Sequence, residues 1–328
     1  MSEMPALRPG PPWAMEEMIL DEPGLVGPIL ASPAIAEAAA LVRTAGAPLI
    51  LTGCGTSEHA AMAGAAVLGG FSRDAFEASL DPQSGGVLIG VSHEAETAAT
   101  LAALDAAEAK KILVTACPDQ APELDLIVPT PLHDTSWCHT VGYLSPLLAF
   151  TAIAGHLDPA PIEGVVQGMI DRRRSFSDTA RLISGAERLL IAASGVDEIT
   201  ARELALKIEE GVHVPVTPLG IEKILHGHLP AADSRTGLIV LRFDRRDAQT
   251  RDKRARDVVA AASQLGMPTI LLDDRFETSL PPVPAALIGG ALAAQLLTLE
   301  LVLAAGTNPD LIRREEPAYK AAAEAANT

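Results

Sequence analysis

The sequence predicts an α/β protein made of two tandem, doubly wound parallel-sheet units with flanking helices. Short apolar, β-branched runs alternate with longer stretches of helical period, the pattern of a parallel sheet with crossover helices. The second half of the chain repeats the plan of the first. Of the 328 residues, 48% are hydrophobic but only 3% aromatic. An alanine- and leucine-rich chain of that length suits many helices around buried sheets better than an all-β sandwich.

The elements follow in order. The first forty-odd residues read as helix, interrupted by Pro23, Pro28 and Pro33, because proline removes a helical hydrogen bond and crowds the preceding turn. PLILTG (48–53) is the first strand, and CGTSEHAAMAGAAVL supplies a turn and a helix. GVLIGVS (86–92) is the second strand, leading into a helix from about Glu94 to Ala109. KILVTA (111–116) and LDLIVP (124–129) are further strands, and the run 133–157 begins as loop and becomes helix. DPAPIEG breaks the helical pattern and places a boundary near 157–170, between a first unit, 1–160, and a second, 161–328.

In the second unit, ERLLIAASGVDEITARELALKI (187–208) matches the first strand–turn–helix at an offset of 140, with Gly55 on Gly195, Glu58 on Glu198 and Ala61 on Ala201. TGLIVLRFD (236–244) stands where GGVLIGVSHE stood, and MPTILLDD (267–274) where KKILVTAC stood. This is one duplication, not a solenoid array of short repeats. The copies differ after their strands. The first has GTS and SHEAET, the second GVD and RFDRRD. Only the first keeps hydroxyls after both strands, so ligand binding is expected there.

Composition excludes some classes. A net charge of −17 repels phosphate backbones and argues against a nucleic-acid partner, although helix N-termini still attract small anions at short range. The most apolar stretch, 285–306, carries Gln295, Thr298 and Glu300 and reads as a buried helix rather than a membrane span. Cys54, Cys117 and Cys138 form no CxxC pair, which fits a reducing compartment. The N-terminal residues lack a basic-then-apolar leader. A cytoplasmic protein with no membrane partner is expected.

At the first turn, Gly55 permits close backbone approach, while Thr56 and Ser57 offer hydroxyls at a helix N-terminus. Alone, the same residues describe a capped helix. In SHEAET, Ser92 and Thr97 are candidate anion ligands, but Glu94 sits between them. A carboxylate roughly 4 Å from one phosphate charge costs ~1 kcal/mol in water and ~4 kcal/mol at an effective dielectric near 20. Either Glu94 points away, or His93 is protonated and compensates, or the ligand is not a sugar phosphate. Glu203 and Lys207 are spaced i,i+4, as a pair on any surface helix would be. His133, Cys138 and His139 lack zinc spacing and read as shape-setting residues beside the apolar face of Trp137. GCGTSE lacks the third glycine of a dinucleotide-binding turn, which argues against a Rossmann dehydrogenase. No metal or other cofactor is expected.

Taken together, the GTS turn, Ser-x-x-x-Glu-Thr after the second strand, ELALKIEEG (203–211) and LHGHLPAAD (225–233) resemble the SIS (sugar isomerase) family, with its flavodoxin-like units. More narrowly, the chain looks like the isomerase portion of glucosamine-6-phosphate synthase and related deaminases and deglycases. The resemblance runs from about residue 20 to 315. It implies a phosphosugar or amino-sugar isomerase or deaminase working through an enediol-type intermediate, in a homodimer with its site at the subunit interface. Gly55, Thr56 and Ser57 match the first phosphate-loop segment; Ser92 and Thr97 match the second. Glu210 matches the carboxylate that shuttles a proton between C1 and C2, a role that suits a partly desolvated base. Lys207 matches a lysine lining that site, able to steady an enediolate oxygen. His226, sixteen residues beyond Glu210, matches a histidine that opens the sugar ring from the neighbouring subunit; His228 flanks the same turn. The family's S-Q-S-G-E-T reads S-H-E-A-E-T here, so His93, Glu94 and Ala95 are departures. The family's C-terminal lysine would fall on Pro317, with Lys320 the nearest lysine. No glutaminase segment precedes the isomerase portion, so reaction with glutamine is not expected from this chain. A carbohydrate-binding sensor without turnover is the alternative.

Overall fold

The computed structural model describes residues 5–157, 159–273 and 278–326. Asp158 of the DPAPIEG stretch, Asp274 at the end of MPTILLDD and the first four residues lie outside them. The chain opens with α1 (Ala14–Asp21), α2 (Val26–Ala31) and α3 (Pro33–Thr44). Pro23 and Pro33 fall where helices begin, at positions whose N–H has no helical partner, while Pro28 is carried inside α2.

The first sheet comprises β1 (Leu49–Gly53), β2 (Phe71–Asp74), β3 (Ser84–Val91), β4 (Glu108–Thr115) and β5 (Leu126–Pro129). All neighbours pair parallel, in the order β2-β1-β3-β4-β5. In such a doubly wound sheet the order reverses between β1 and β3, which opens a crevice at their C-terminal ends. Crossovers are α4 (Thr56–Leu68), α5 (Ala75–Leu80) and α6 (Ala98–Ala106), and α7 (Val141–Ile153) follows β5. The small residues of AAMAGAA let α4 pack closely: a Cβ at Gly64 would lie 2.5 Å from the Phe150 ring on α7.

The second sheet comprises β6 (Arg188–Ala193), β7 (Val216–Gly220), β8 (Thr236–Leu241) and β9 (Thr269–Leu272), again all parallel, in the order β7-β6-β8-β9. Its helices are α8 (Pro159–Asp171), α9 (Ser175–Ile183), α10 (Asp197–Val212), the single turn α11 (Ile221–Lys223), α12 (Ala248–Gln264), α13 (Pro282–Ala305) and α14 (Pro317–Ala326). Registers correspond: Leu49 pairs with Val87, and Leu189 pairs with Gly237. One apolar cluster takes Leu51 and Ile89 from the first sheet, Ile191 and Ile239 from the second, and the buried faces of α7, α10 and α13. Thus α4 packs on α7 and α10, and α10 packs on α13. Of the most apolar stretch of α13, 89% is buried inside the protein, so it is a core helix.

Two expectations shift. The helix placed from Glu94 begins at Ala98 instead. Residues 92–95 form a turn closed by Ala95 N–H to Ser92 O at 3.1 Å, with Ala95 at φ +56°, so helical backbone cannot start there. DPAPIEG, expected to break the pattern, lies largely within α8, because prolines in a helix's first turn are tolerated.

Candidate active site

The crevice between β1 and β3 gathers the two loops singled out in the sequence. A Cβ at Gly53 would lie 2.6 Å from the carbonyl carbon and oxygen of Ser57, and Gly55 sits at φ +58°. Only glycine lets the chain fold back this tightly onto the start of α4. Gly53→Ala is expected to cost about 1–3 kcal/mol by forcing this turn apart, read by urea denaturation; an unchanged midpoint would contradict the packing. The turn leaves Gly55 exposed and Ser57 half-buried, while Thr56 points inward.

Inward from Thr56 lies a line of charges on α10. Thr56 Oγ1 donates to Glu203 Oε1 at 3.3 Å, and His59 Nδ1 donates to Glu203 Oε2 at 2.7 Å. Lys207 Nζ lies 3.7 Å from Glu203 and 2.5 Å from Glu210 Oε2. These three charged residues share one face because they sit at i, i+4 and i+7. The side chains of Glu203 and Lys207 are 2% and 1% exposed, but Glu210 keeps 20%. Glu210 is therefore the end of the line that a ligand can reach. Burial raises its carboxyl above the usual range, and the adjacent Lys207 offsets this only in part. Burial alone would lower the Lys207 ammonium, but Glu210 and Glu203 outweigh it and hold it raised. Burial would likewise raise Glu203, yet Lys207, His59 and Thr56 hold it low.

The second loop is tied down by hydrogen bonds. Ser92 is fully buried; its Oγ donates to Thr97 Oγ1 at 3.0 Å and accepts from Thr97 N–H at 3.4 Å. His93 Nε2 accepts the Asp134 N–H at 2.8 Å. Burial, with His139 beside it, pushes His93 down to about 3. Burial and the N–H accepted at Nε2 both favour the neutral ring, so His93 offers no charge to offset Glu94. Glu94 turns toward His133, with Oε1 3.6 Å from Nε2. The His93 ring stacks 5.1 Å from His133 and lies 4.9 Å from His139. His139 is also pushed to about 3, by burial and by nearby Lys207, and Cys138 Sγ lies 3.8 Å from the Lys207 carbonyl. Loop 133–140 thus joins the SHEAET turn to α10. Asp134 holds it in place by accepting N–H groups of Ser136, Thr140 and Gly142 at 3.0, 2.7 and 3.1 Å. Among the described residues no group of three or more His, Cys, Asp or Glu is placed to hold a metal ion.

The equivalent crevice of the second sheet is filled from within. Asp244 Oδ2 accepts Val196 N–H at 3.2 Å, and a Cβ at Gly195 would lie 2.3 Å from that oxygen. Arg246 Nη2 bonds Asp244 at 2.6 Å, and Arg251 Nη1 bonds Ser194 Oγ at 2.8 Å. Burial would raise the Asp244 carboxyl, but hydrogen bonds from Arg246 and Val196 outweigh it and hold it low. Asp244→Ala should cost about 1–3 kcal/mol at pH 7, since it leaves these donors unpaired. A depressed carboxylate stabilises the fold above its unfolded pKa, so the deficit should shrink as pH falls below about 4. Denaturation midpoints across pH check both statements.

The structure therefore brings together Gly55, Thr56, Ser57, Lys207 and Glu210, and it links Ser92, His93, Glu94 and Thr97 to them through loop 133–140. It does not bring in His226, whose side chain is 72% exposed and whose Nε2 lies 3.3 Å from Glu222 Oε2. Gly227 beside it has φ +153° and breaks the helical path. Lys320 is exposed on α14. Sequence reasoning missed His59 and Asp134 and the interior role of Glu203. The usable signals were the i,i+3 spacing of Thr56 and His59 and the turn-forming Asp-Thr-Ser of 134–136.

Two parallel sheets, the first in flavodoxin order, with a buried charge line meeting the GTS turn at the β1/β3 crevice, define a doubly wound α/β protein. In fold and motifs the chain resembles the SIS phosphosugar isomerases, and more narrowly the isomerase portion of glucosamine-6-phosphate synthase. No family model matches it. It is 27% identical over 305 residues to a glutamine–fructose-6-phosphate aminotransferase (isomerizing) of Pyrococcus horikoshii, covering 80% of this chain and 50% of that protein. The chain thus spans about half the length of that curated relative. Its fold superposes on the C-terminal domain of glucosamine-fructose-6-phosphate aminotransferase from Francisella tularensis with a TM-score of 0.75 at 17% identity, covering 93% of this chain and 100% of that one. It superposes on tagatose-6-phosphate ketose/aldose isomerase from Escherichia coli with a TM-score of 0.76 at 19% identity, covering 94% and 98%.

Proposed function

We propose that this chain is an isomerase or deaminase of a phosphosugar or amino sugar, acting by proton transfer through an enediol-type intermediate. The observation that carries the reading is the position of Glu210. It is a desolvated yet reachable carboxylate, ending a buried Glu–Lys–Glu line tied directly to the GTS turn. A raised carboxyl suits a base that takes a proton beside a carbonyl and returns it to the next carbon. Lys207, fixed as an ammonium, steadies Glu210 and offers charge to an enediolate oxygen. Gly55, Thr56, Ser57, Ser92, His93, Glu94 and Thr97 face the far end of the ligand. His226 opens the sugar ring in the site of a neighbouring subunit; its exposure away from Glu210 supports a homodimer. The units 1–160 and 161–328 are duplicated halves, of which only the first binds ligand, as the self-filled second crevice supports. The protein acts in the cytoplasm.

The test is deuterium wash-in. The protein is mixed in D2O with hexoses, hexosamines, fructosamines and their 6-phosphates, and incorporation at C1 or C2 is followed by NMR. A sugar that binds without any exchange at stoichiometric protein would overturn the enzyme reading. It would favour a non-catalytic carbohydrate sensor, to which the carboxylate of Glu94 in the binding loop also points.

A further inference from the structure

The second sheet displays what surrounds an anion held at this kind of crevice. Asp244 lies against Gly195 and the Val196 N–H, with Arg246 bonded to it and Arg251 Nη2 3.7 Å away. By strand register its counterpart in the first sheet is Glu94, since Glu94 lies seven residues beyond Val87 as Asp244 lies seven beyond Gly237. The counterparts of Arg246 and Arg251 are Glu96 and Leu101. The first crevice therefore keeps the carboxylate but has a guanidinium at neither matching position, and that carboxylate lies 3.6 Å from His133 Nε2.

Two of the hydroxyls there are already engaged. Thr56 donates its proton to Glu203, and Ser92 donates its proton to Thr97. His93 brings no charge, because its Nε2 is taken by the Asp134 N–H. A ligand end between the loops meets the carboxylate of Glu94 at the mouth, whereas Glu203 behind Thr56 is buried and paired with Lys207, and the protein around them carries a net charge of −17. Carboxylate oxygens accept hydrogen bonds from sugar hydroxyls and repel a phosphate dianion.

We infer that the sugar end seated between these two loops is unphosphorylated and hydroxyl-bearing, and that Glu94 is the residue that excludes a phosphate ester there. This rests on the reading that the GTS and SHEAET loops hold the ligand. It narrows that reading to sugars or amino sugars without a terminal phosphate.

Calorimetric titration of the full chain with fructose, glucosamine, their 6-phosphates and inorganic phosphate tests it. The expected result is that an unphosphorylated sugar binds about tenfold or more tightly than its own ester, while inorganic phosphate does not compete. Glu94→Ser should tighten the ester about tenfold or more and reverse the order. Glu94→Gln, which keeps the side chain's shape, should move the ratio in the same direction and stands in if the serine variant folds poorly. Tighter binding of the ester by the native chain, competition by inorganic phosphate, or no difference between sugar and ester would overturn the inference. Deuterium wash-in is read separately. Exchange on a phosphorylated sugar alone would sink this inference and leave the proposed chemistry standing.

Discussion

Glu210→Gln is expected to lower deuterium wash-in by about 10²–10⁴-fold, the usual contribution of a positioned general base, while sugar binding is retained. Glutamine fills the same volume and still offers an oxygen to Lys207, which stands 2.5 Å from the native carboxylate. What it removes is the ability to carry a proton. Glu203 cannot take over, because it is 2% exposed and already held by Thr56, His59 and Lys207. The native rate should also rise with pH, since burial raises the Glu210 carboxyl and the base must be ionised to act. That limb should be missing in the variant. An unchanged exchange rate in a folded Glu210→Gln protein would remove Glu210 from the mechanism. The loss of rate without loss of binding separates this role from a structural one.

The fold was legible where burial writes a continuous apolar run. PLIL, GVLIGVS and ERLLIAA read as strands because their sheets are covered on both faces. β2 and β7 did not, because these edge strands lack the continuous apolar run that β5 and β9 keep. FSRD carries exposed Phe71 and two charges, and VTPLG carries Pro218, which an edge position tolerates. In the site, single residues were visible and their couplings were not. Glu203 read as an ordinary i,i+4 partner of Lys207 until the fold set it against His59, 144 residues away. Asp244 read only as the loss of a hydroxyl. Its meaning as a built-in anion depends on the packing of β8 against β6. Asp134 shows in the sequence only as the head of a turn-forming Asp-Thr-Ser, and its role follows from the N–H groups that loop 133–140 and α7 aim at it.

Lys207→Met is expected to destabilise the chain by about 3–5 kcal/mol at pH 7, the range seen when one partner of a buried ion pair is removed. Methionine replaces the aliphatic stem, so little packing is lost; the cost is electrostatic. Glu203 is left buried without the ammonium 3.7 Å away, and Glu210 loses the ammonium bonded to it. Both carboxyls then rise in the folded variant relative to the unfolded chain, where they titrate near 4.3. The folded variant binds more protons than the unfolded one, so its stability falls as pH rises above that value. The deficit should therefore be largest near neutrality and shrink toward pH 4. Adding Glu203→Gln to Lys207→Met should restore part of the loss, because a neutral amide keeps the hydrogen bonds to Thr56 and His59 without a stranded charge. Chemical denaturation of the single and double variants across pH measures each step. A deficit independent of pH, or a double variant less stable than the single, would mean that the line from Glu203 to Glu210 is held by packing rather than by charge.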